Sequence, residues 1–296
     1  MEPKIYCGAS SHHVHCENYN FEPGKALKLF GNENPDERTT WVDLRNCTGT
    51  LDSTSLSLLP ALDYLNITDS SVELSPKVFS SMPKLRALTI GNNSKTTIRK
   101  EFFEECAVQN LTIEDSQIPT GDCFAHLKSL DNLTLKNCTL EKFNDETVSN
   151  LHLLKYLYID KCQIGSLGDF HEHVPQLEYL YISENKMQQF DYEGIAKLEK
   201  LNTLGMYANE VGTDINYEVF QKLPKLETIS FDTAVYKNLK FTEYPSLKTV
   251  HINTPTDVLN DEEQKVMDEL EKLNINFEYH YYGPLNIDYS KVLICA

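Results

Sequence analysis

The chain has 296 residues, with 27 basic and 44 acidic side chains and a formal net charge of −17. Its length allows one or two domains, and an apolar share of 41% is enough for a sizeable core. Phosphate backbones and anionic lipid both call for a basic face, so the charge argues against nucleic acid and membrane-surface docking. Apolar runs of only a few residues argue against membrane insertion.

From the N-terminus, Met1–Lys4 lacks the apolar segment of a signal peptide. The chain is then either intracellular or a mature chain with an added Met, and two counts favour secretion. There are eight cysteines, Cys7, Cys16, Cys47, Cys106, Cys123, Cys138, Cys162 and Cys295. There are six Asn-x-Ser/Thr sequons, at Asn46, Asn66, Asn92, Asn110, Asn132 and Asn137, all in the first half. His12, His13 and His15 crowd Cys16. Zinc wants ligands spaced to converge tetrahedrally, so this segment reads as a His-rich cap loop and no metal is assigned to it.

The dominant signal begins near Thr39. The string Leu-x-x-Leu-x-Leu-x-x-Asn/Cys is clear at Leu85–Asn93, Leu130–Cys138, Leu154–Cys162, Leu177–Asn185 and Leu201–Asn209. Weaker copies run over Thr39–Cys47, Leu62–Ser70, Val108–Ser116, Leu226–Ala234, Leu247–Pro255 and Leu270–Glu278. The third apolar position advances by 21 to 25 residues at each step, from Leu44 to Ile275. Leu-x-Leu alternates with period two, so each copy predicts a short strand with its apolar pair inward. Asn at the next turn can hydrogen-bond open backbone groups, and Cys does so weakly. Phe79, Phe102, Phe124, Val148, Ile195, Phe220 and Phe241 lie about eleven residues before the third position and predict the convex wall. No copy can bury its apolar face alone, so the copies must stack.

Over about four-fifths of its length the chain resembles the leucine-rich repeat family. The fold implied is an α/β solenoid of about 11 repeats: a curved horseshoe with a parallel sheet on the concave face and short helices and loops, such as Lys100–Glu105, on the convex face. The organisation expected is an N-terminal cap over 1–36, repeats over 37–278 and a C-terminal cap or tail over 279–296. Extracellular members commonly start with a disulfide-closed cap, which the resemblance assigns to Cys7–Cys16.

The other cysteines are read from their places. Cys47, Cys138 and Cys162 occupy the Asn position and read as buried free thiols. Cys106 and Cys123 flank one convex segment, and a disulfide closing that loop is expected. Cys295 is left for an intermolecular disulfide and a covalent dimer, with pairing inside the C-terminal cap as the alternative. His171 and His173 form a convex pair without a further ligand nearby in sequence, and no metal is assigned anywhere in the chain.

The outward strand positions carry the functional expectation. Tyr156, Tyr158, Asp160, Tyr179, Tyr181 and Tyr207 fall there, rimmed by Lys136, Glu184 and Asp232. Like positions stack about 4.8 Å apart, so Tyr156 should meet Tyr179 and Tyr158 should meet Tyr181. Tyrosine is favoured at binding hot spots, and this patch is expected to bind a protein. A ladder that only stabilises the sheet is the alternative. Asn66, Asn110 and Asn132 also face the concavity, so glycans there would cover its N-terminal half and leave the tyrosines bare.

Residues 257–273 read as an amphipathic helix with Val266, Met267, Leu270 and Leu273 at 3/4 spacing and Thr254-Pro255 at its start. No catalytic motif is present, neither G-x-S-x-G nor H-E-x-x-H nor a phosphate-binding Gly loop, so an enzyme is not expected and no cofactor is assigned. The Cys-bearing start, the repeats and Cys295 make the chain similar to insect leucine-rich repeat proteins, in particular the mosquito immune group, although no coiled coil follows the repeats. The resemblance implies a secreted scaffold paired through disulfides. Its partner would be another leucine-rich repeat protein or a complement-like protein. A receptor ectodomain, Toll-like or adhesive, and an intracellular adaptor with free thiols are the alternatives.

Overall fold

The alternation of buried and exposed residues in the Leu-x-Leu segments is resolved as strand, in all copies but the last, in a computed structural model. It describes residues 6–10, 12–29, 37–93, 96–119, 121–168, 170–185, 187, 189–209, 216–254 and 260–281. Thirteen strands form one sheet in chain order. They are β1 (Tyr6–Ser10), β2 (His13–Glu17), β3 (Trp41–Arg45), β4 (Tyr64–Thr68), β5 (Ala87–Gly91), β6 (Asn110–Glu114), β7 (Asn132–Lys136), β8 (Tyr156–Asp160), β9 (Tyr179–Ser183), β10 (Thr203–Gly205), β11 (Thr228–Asp232), β12 (Thr249–Thr254) and β13 (Asn276–Tyr281). Each strand from β2 to β13 pairs in parallel with the next, while β1 turns back antiparallel onto β2. Consecutive order without a crossover is what a one-dimensional stack requires. The fold is the leucine-rich repeat solenoid expected from the repeats.

The inward pairs, Val42 with Leu44 through Leu180 with Ile182 and on to Val250 with Ile252, are buried. The convex wall is closed by Phe79, Phe102, Phe124, Val148, Ile195, Phe220 and Phe241, all buried. Between wall and sheet run two smaller parallel sheets. One joins Asn20–Phe21, Thr48–Leu51 and Ser71–Leu74; the other joins Gln117–Ile118, Thr139–Phe143, Gln163–Leu167 and Gln189–Phe190. Convex connections are short, as at the 3-10 turn Lys100–Phe103.

Two ladders hold the turns after the strands. Asn46, Asp69, Asn92, Asp115, Asn137, Lys161, Glu184 and Ala208 all adopt φ between 46° and 54°, the left-handed region that Asn and Asp tolerate best. There Asn92 Nδ2 donates to Asp69 Oδ1 at 2.9 Å, and Asn137 donates to Asp115 in the same way. One residue further on, Asn185 Oδ1 accepts from Cys162 N at 2.8 Å, and Asn185 Nδ2 donates to the carbonyls of Ile159 and Ser183, both at 2.8 Å. Cys47, Cys138 and Cys162 take that place as buried free thiols whose Sγ atoms meet backbone carbonyls.

At the N-terminus β1 and β2 put Cys7 opposite Cys16, and a disulfide joins them. Val14 and Cys16 are buried like a repeat's inward pair, so β2 is itself the first parallel rung.

Three expectations are corrected. The last copy does not place its strand at Leu273–Ile275. Leu270 lies inside the helix Asp261–Lys272, and β13 pairs Phe277 with Val250 and Tyr279 with Ile252. Helical and strand spacing share the i, i+3 pattern there, and the helix takes it. That helix starts later than expected, because Thr254 still belongs to β12 and Asn260 provides the cap. Asn260 Oδ1 accepts from Glu262 N and Glu263 N at 3.0 and 2.9 Å, and Glu263 Oε2 accepts from Asn260 N. Finally, Cys106 and Cys123 are free thiols. Cys123 is fully buried in the core, where it acts as a small hydrophobe.

Candidate functional site

In-register pairing of parallel strands turns each outward position into a column across the concave face. One column runs through Asn132, Tyr156, Tyr179 and Thr203, and the next through Tyr158, Tyr181, Gly205, Ser230, His251 and Glu278. Tyr156 and Tyr179 stack with centroids 4.6 Å apart and planes 17° apart. Tyr158 and Tyr181 stack at 4.8 Å and 9°. The Tyr181 ring leans over Gly205, where an added Cβ would lie 2.3 Å from Cδ1. The absent side chain is therefore what lets Tyr181 lie down on the sheet.

Burial pushes the Tyr158 and Tyr181 hydroxyls up from their ordinary value, with each ring adjoining another phenol. Asp160, at the end of β8, is raised to about 6. Burial is the leading cause; Lys161 and Lys136 pull it down and Glu184 pushes it up. The patch thus holds a carboxyl group that water does not stabilise well.

One expected member lies elsewhere, and one rim residue is already engaged. Tyr207 is only 8% exposed, because β10 ends at Gly205 and the chain turns inward behind it. Asp232 stands on the rim, but both its carboxylate oxygens accept from Ala208 N at 3.0 Å, so it holds the neighbouring turn. Rim charges are paired among themselves, Lys136 with Glu114 at 3.3 Å and Lys161 with Glu184 at 3.5 Å.

The same face carries a second aromatic group that the sequence reading missed. Trp41, 46% exposed, lies between Tyr64 at 4.4 Å and His13 at 5.6 Å. Beside it, His13 Nε2 is 2.9 Å from Asp43 Oδ2, and Asn66 Nδ2 donates to Asp43 Oδ1 at 3.0 Å. Burial alone would raise Asp43; hydrogen bonds from Asn66, Trp41 and His13 outweigh it and hold the carboxyl low. The outward position before Val42 was the available signal.

A third cluster closes the C-terminal end. His251, Glu278 and His280 bring their ligand atoms together on β12 and β13. It escaped the sequence reading because the last copy had been placed out of register. Burial pushes His251 below the usual imidazole value, with Glu278 opposing and His280 adding to the shift.

The sequons divide by position. Asn46, Asn92 and Asn137 are exposed in the left-handed turns, and Asn110 is exposed on the concave face. Asn132 is half-buried, and Asn66 commits its amide nitrogen to Asp43. His171 and His173 lie in a convex 3-10 turn, and His173 lines a cleft with Asp122, Asp145 and Glu146. The expected linkage through Cys295 lies outside the described residues. No described helix is long and apolar enough to cross a membrane.

Comparison with known proteins agrees with this geometry. Residues 50–170 match the BspA-type leucine-rich repeat region in six copies. Among solved structures, the TLR13–ssRNA13 complex is similar at 17% identity and a TM-score of 0.64, over 73% of this chain and 36% of that one. A leucine-rich repeat protein of Leptospira interrogans aligns at 19% and 0.60, over 88% and 66%. The Toll–Spatzle complex of Drosophila aligns at 17% and 0.52, over 80% and 43%. At these identities the likeness concerns the fold.

One curated relative corrects an expectation. A Schizosaccharomyces pombe protein named adenylate cyclase is 25% identical over 213 residues, 64% of this chain. The chain spans 12% of that relative's length. The exclusion of an enzyme therefore falls: a solenoid can be one part of a longer chain, and missing motifs within it say nothing of the chemistry of the whole. What the stacked strands and the six matched copies do establish is the architecture: the chain is a leucine-rich repeat solenoid.

Proposed function

We propose that this chain is a secreted recognition or scaffold protein that binds another protein through the tyrosine part of its concave face, in innate immunity. The observation that carries the reading is the pair of stacked tyrosine couples beside Asp160. A carboxyl group held near a pKa of about 6 by burial is costly to ionise in the free chain. A basic side chain from a partner would ionise it in place, so the site gains from being covered. The surrounding tyrosines offer apolar area with polar tips.

A protein fits better than a nucleic acid. Of the similar structures, one is a complex with an RNA and another with Spatzle, but a net charge of −17 repels a phosphate backbone. The partner should offer a basic patch, and association should slow as salt rises. Secretion is supported by the Cys7–Cys16 disulfide and by exposed sequons at Asn46, Asn92, Asn110 and Asn137. By resemblance to the mosquito group, Cys295 would link two chains, and the partner would be a second leucine-rich repeat protein or a complement-like protein. The likeness to the Toll–Spatzle complex favours a receptor ectodomain as a second reading.

The test is capture from extracellular fluid by the immobilised chain. Tyr156→Ala with Tyr179→Ala should weaken capture of the specific partner at least about tenfold, as loss of hot-spot residues does. This outer pair is the cleaner choice, because Tyr181 also packs the sheet over Gly205 and Tyr158 stacks on it. Equal capture by the double variant, with its melting curve intact, would sink the reading.

A further inference from the structure

The C-terminal end of the concave face brings three donor atoms to one point. His251 stands on β12; Glu278 and His280 stand two residues apart on β13 and so share a face. Register places His251 directly beside Glu278 and Asn253 beside His280. His251 Nδ1 lies 2.9 Å from His280 Nε2, and Glu278 Oε2 lies 3.4 Å from the first nitrogen and 3.3 Å from the second. The imidazoles are stacked, with centroids 5.1 Å apart and planes 10° apart.

Four-coordinate zinc binds imidazole and carboxylate at about 2.0–2.1 Å, which separates its tetrahedral donors by about 3.3 Å. Two edges of the triangle already have that length. The third, the nitrogen–nitrogen edge, is a hydrogen bond in the metal-free chain. It must give way and open by about 0.4 Å while the near-parallel rings turn so that both lone pairs meet at the metal, which the broad χ2 torsion of histidine allows. Two imidazoles and one carboxylate suit a first-row transition metal, whereas calcium and magnesium prefer all-oxygen shells. The backbone fixes the arrangement, since β12 and β13 are paired over six residues from Thr249–Asn276 to Thr254–Tyr281.

We propose that His251, Glu278 and His280 form a zinc-class metal site, with the fourth coordination position left to water in the concave groove. His251 is half-buried and supplies the inner ligand, while Glu278 and His280 are exposed and supply the outer two. The site lies further along the column that carries Tyr181, and Glu278 is close enough to act on that hydroxyl, but the two readings rest on different residues. Among the described residues no other group gathers three such donors this closely.

Zinc titration of the full chain, followed by calorimetry, tests the assignment. One Zn2+ per chain should bind, and the melting temperature should rise on binding, because metal stabilises only the folded site. His251→Ala with His280→Ala should weaken binding at least about tenfold, the loss expected when a metal shell is damaged. Glu278→Gln and His280→Gln, both at exposed positions, should weaken it while leaving the melting curve of the metal-free chain unchanged. Cobalt should give the intense visible bands of a tetrahedral site in the parent chain and lose them in these variants. His13→Ala with His15→Ala should bind zinc like the parent. The assignment is overturned if the parent chain takes up no zinc, if the His251/His280 variant binds as tightly as the parent, or if the His13/His15 variant alone loses the metal.

Discussion

At Gly205 a missing side chain decides what its neighbour does. Tyr181 rests where a Cβ would be, 2.3 Å from its Cδ1. Gly205→Ala should lift the ring, destabilise the chain by about 1–3 kcal/mol through overpacking, and weaken partner binding; denaturant melts and near-UV circular dichroism would report both. Asp160 gives a pH signature. Its carboxyl group has a value of about 6 in the folded chain, against 3.8 ordinarily. Below that ordinary value both states hold the proton and no penalty exists. As pH rises the unfolded chain ionises first, so folding loses stability until the folded value is passed. Asp160→Asn should therefore stabilise the chain at pH 7 and change little at pH 3, as paired melts would show. The stacked tyrosines were legible in the sequence because period two and the repeat step fix both face and neighbour. Tyr207 was not, since the period breaks where β10 stops at Gly205 and the next residues turn under the sheet. Asp232 stands on the rim where the pattern puts it, but the pattern does not tell that a backbone N–H has claimed its carboxylate.

At the scale of the element, the helix Asp261–Lys272 shows how one string can serve two periods. Val266, Leu270 and the cap residue Glu263 are buried on one side of it, and Asn260 closes its first turn. Asn260→Ala should cost about 1 kcal/mol, typical of a lost cap, and amide exchange should quicken in the first turn before the rest of the helix. The Leu270–Glu278 copy misled because Leu270 is a helical core residue and the strand begins after the turn at Asn274. That four-residue displacement hid His251, Glu278 and His280 as a group. By contrast, the strands from β3 to β9 follow their copies, because each has a full apolar pair and an Asx or Cys turn behind it.

For the whole molecule, secretion and pairing meet in one measurement. The intact mass of the natively produced protein should exceed that of the bare chain, fall on glycan removal, and halve on reduction if Cys295 joins two copies. An unglycosylated monomer would instead favour the intracellular adaptor, whose thiols would match the free Cys47, Cys106, Cys123, Cys138 and Cys162. The architecture was readable at this scale because an obligatory stack repeats its signal along most of the chain. What the concave face meets was not, since the repeat constrains inward positions and leaves outward ones free to vary.

The uninterrupted parallel order from β2 to β13 has a mechanical corollary. Each rung touches only the rungs beside it, so tension applied at the two ends is borne in series. A pulled molecule should not yield in one cooperative rupture. It should peel from an end, each lost rung releasing one repeat, roughly 75–80 Å of extended chain. The Cys7–Cys16 staple would keep the first rung's hairpin shut while peeling proceeds from the opposite side. The protein would then act as an extensible strap, and optical-trap traces with many small, near-equal steps would record it.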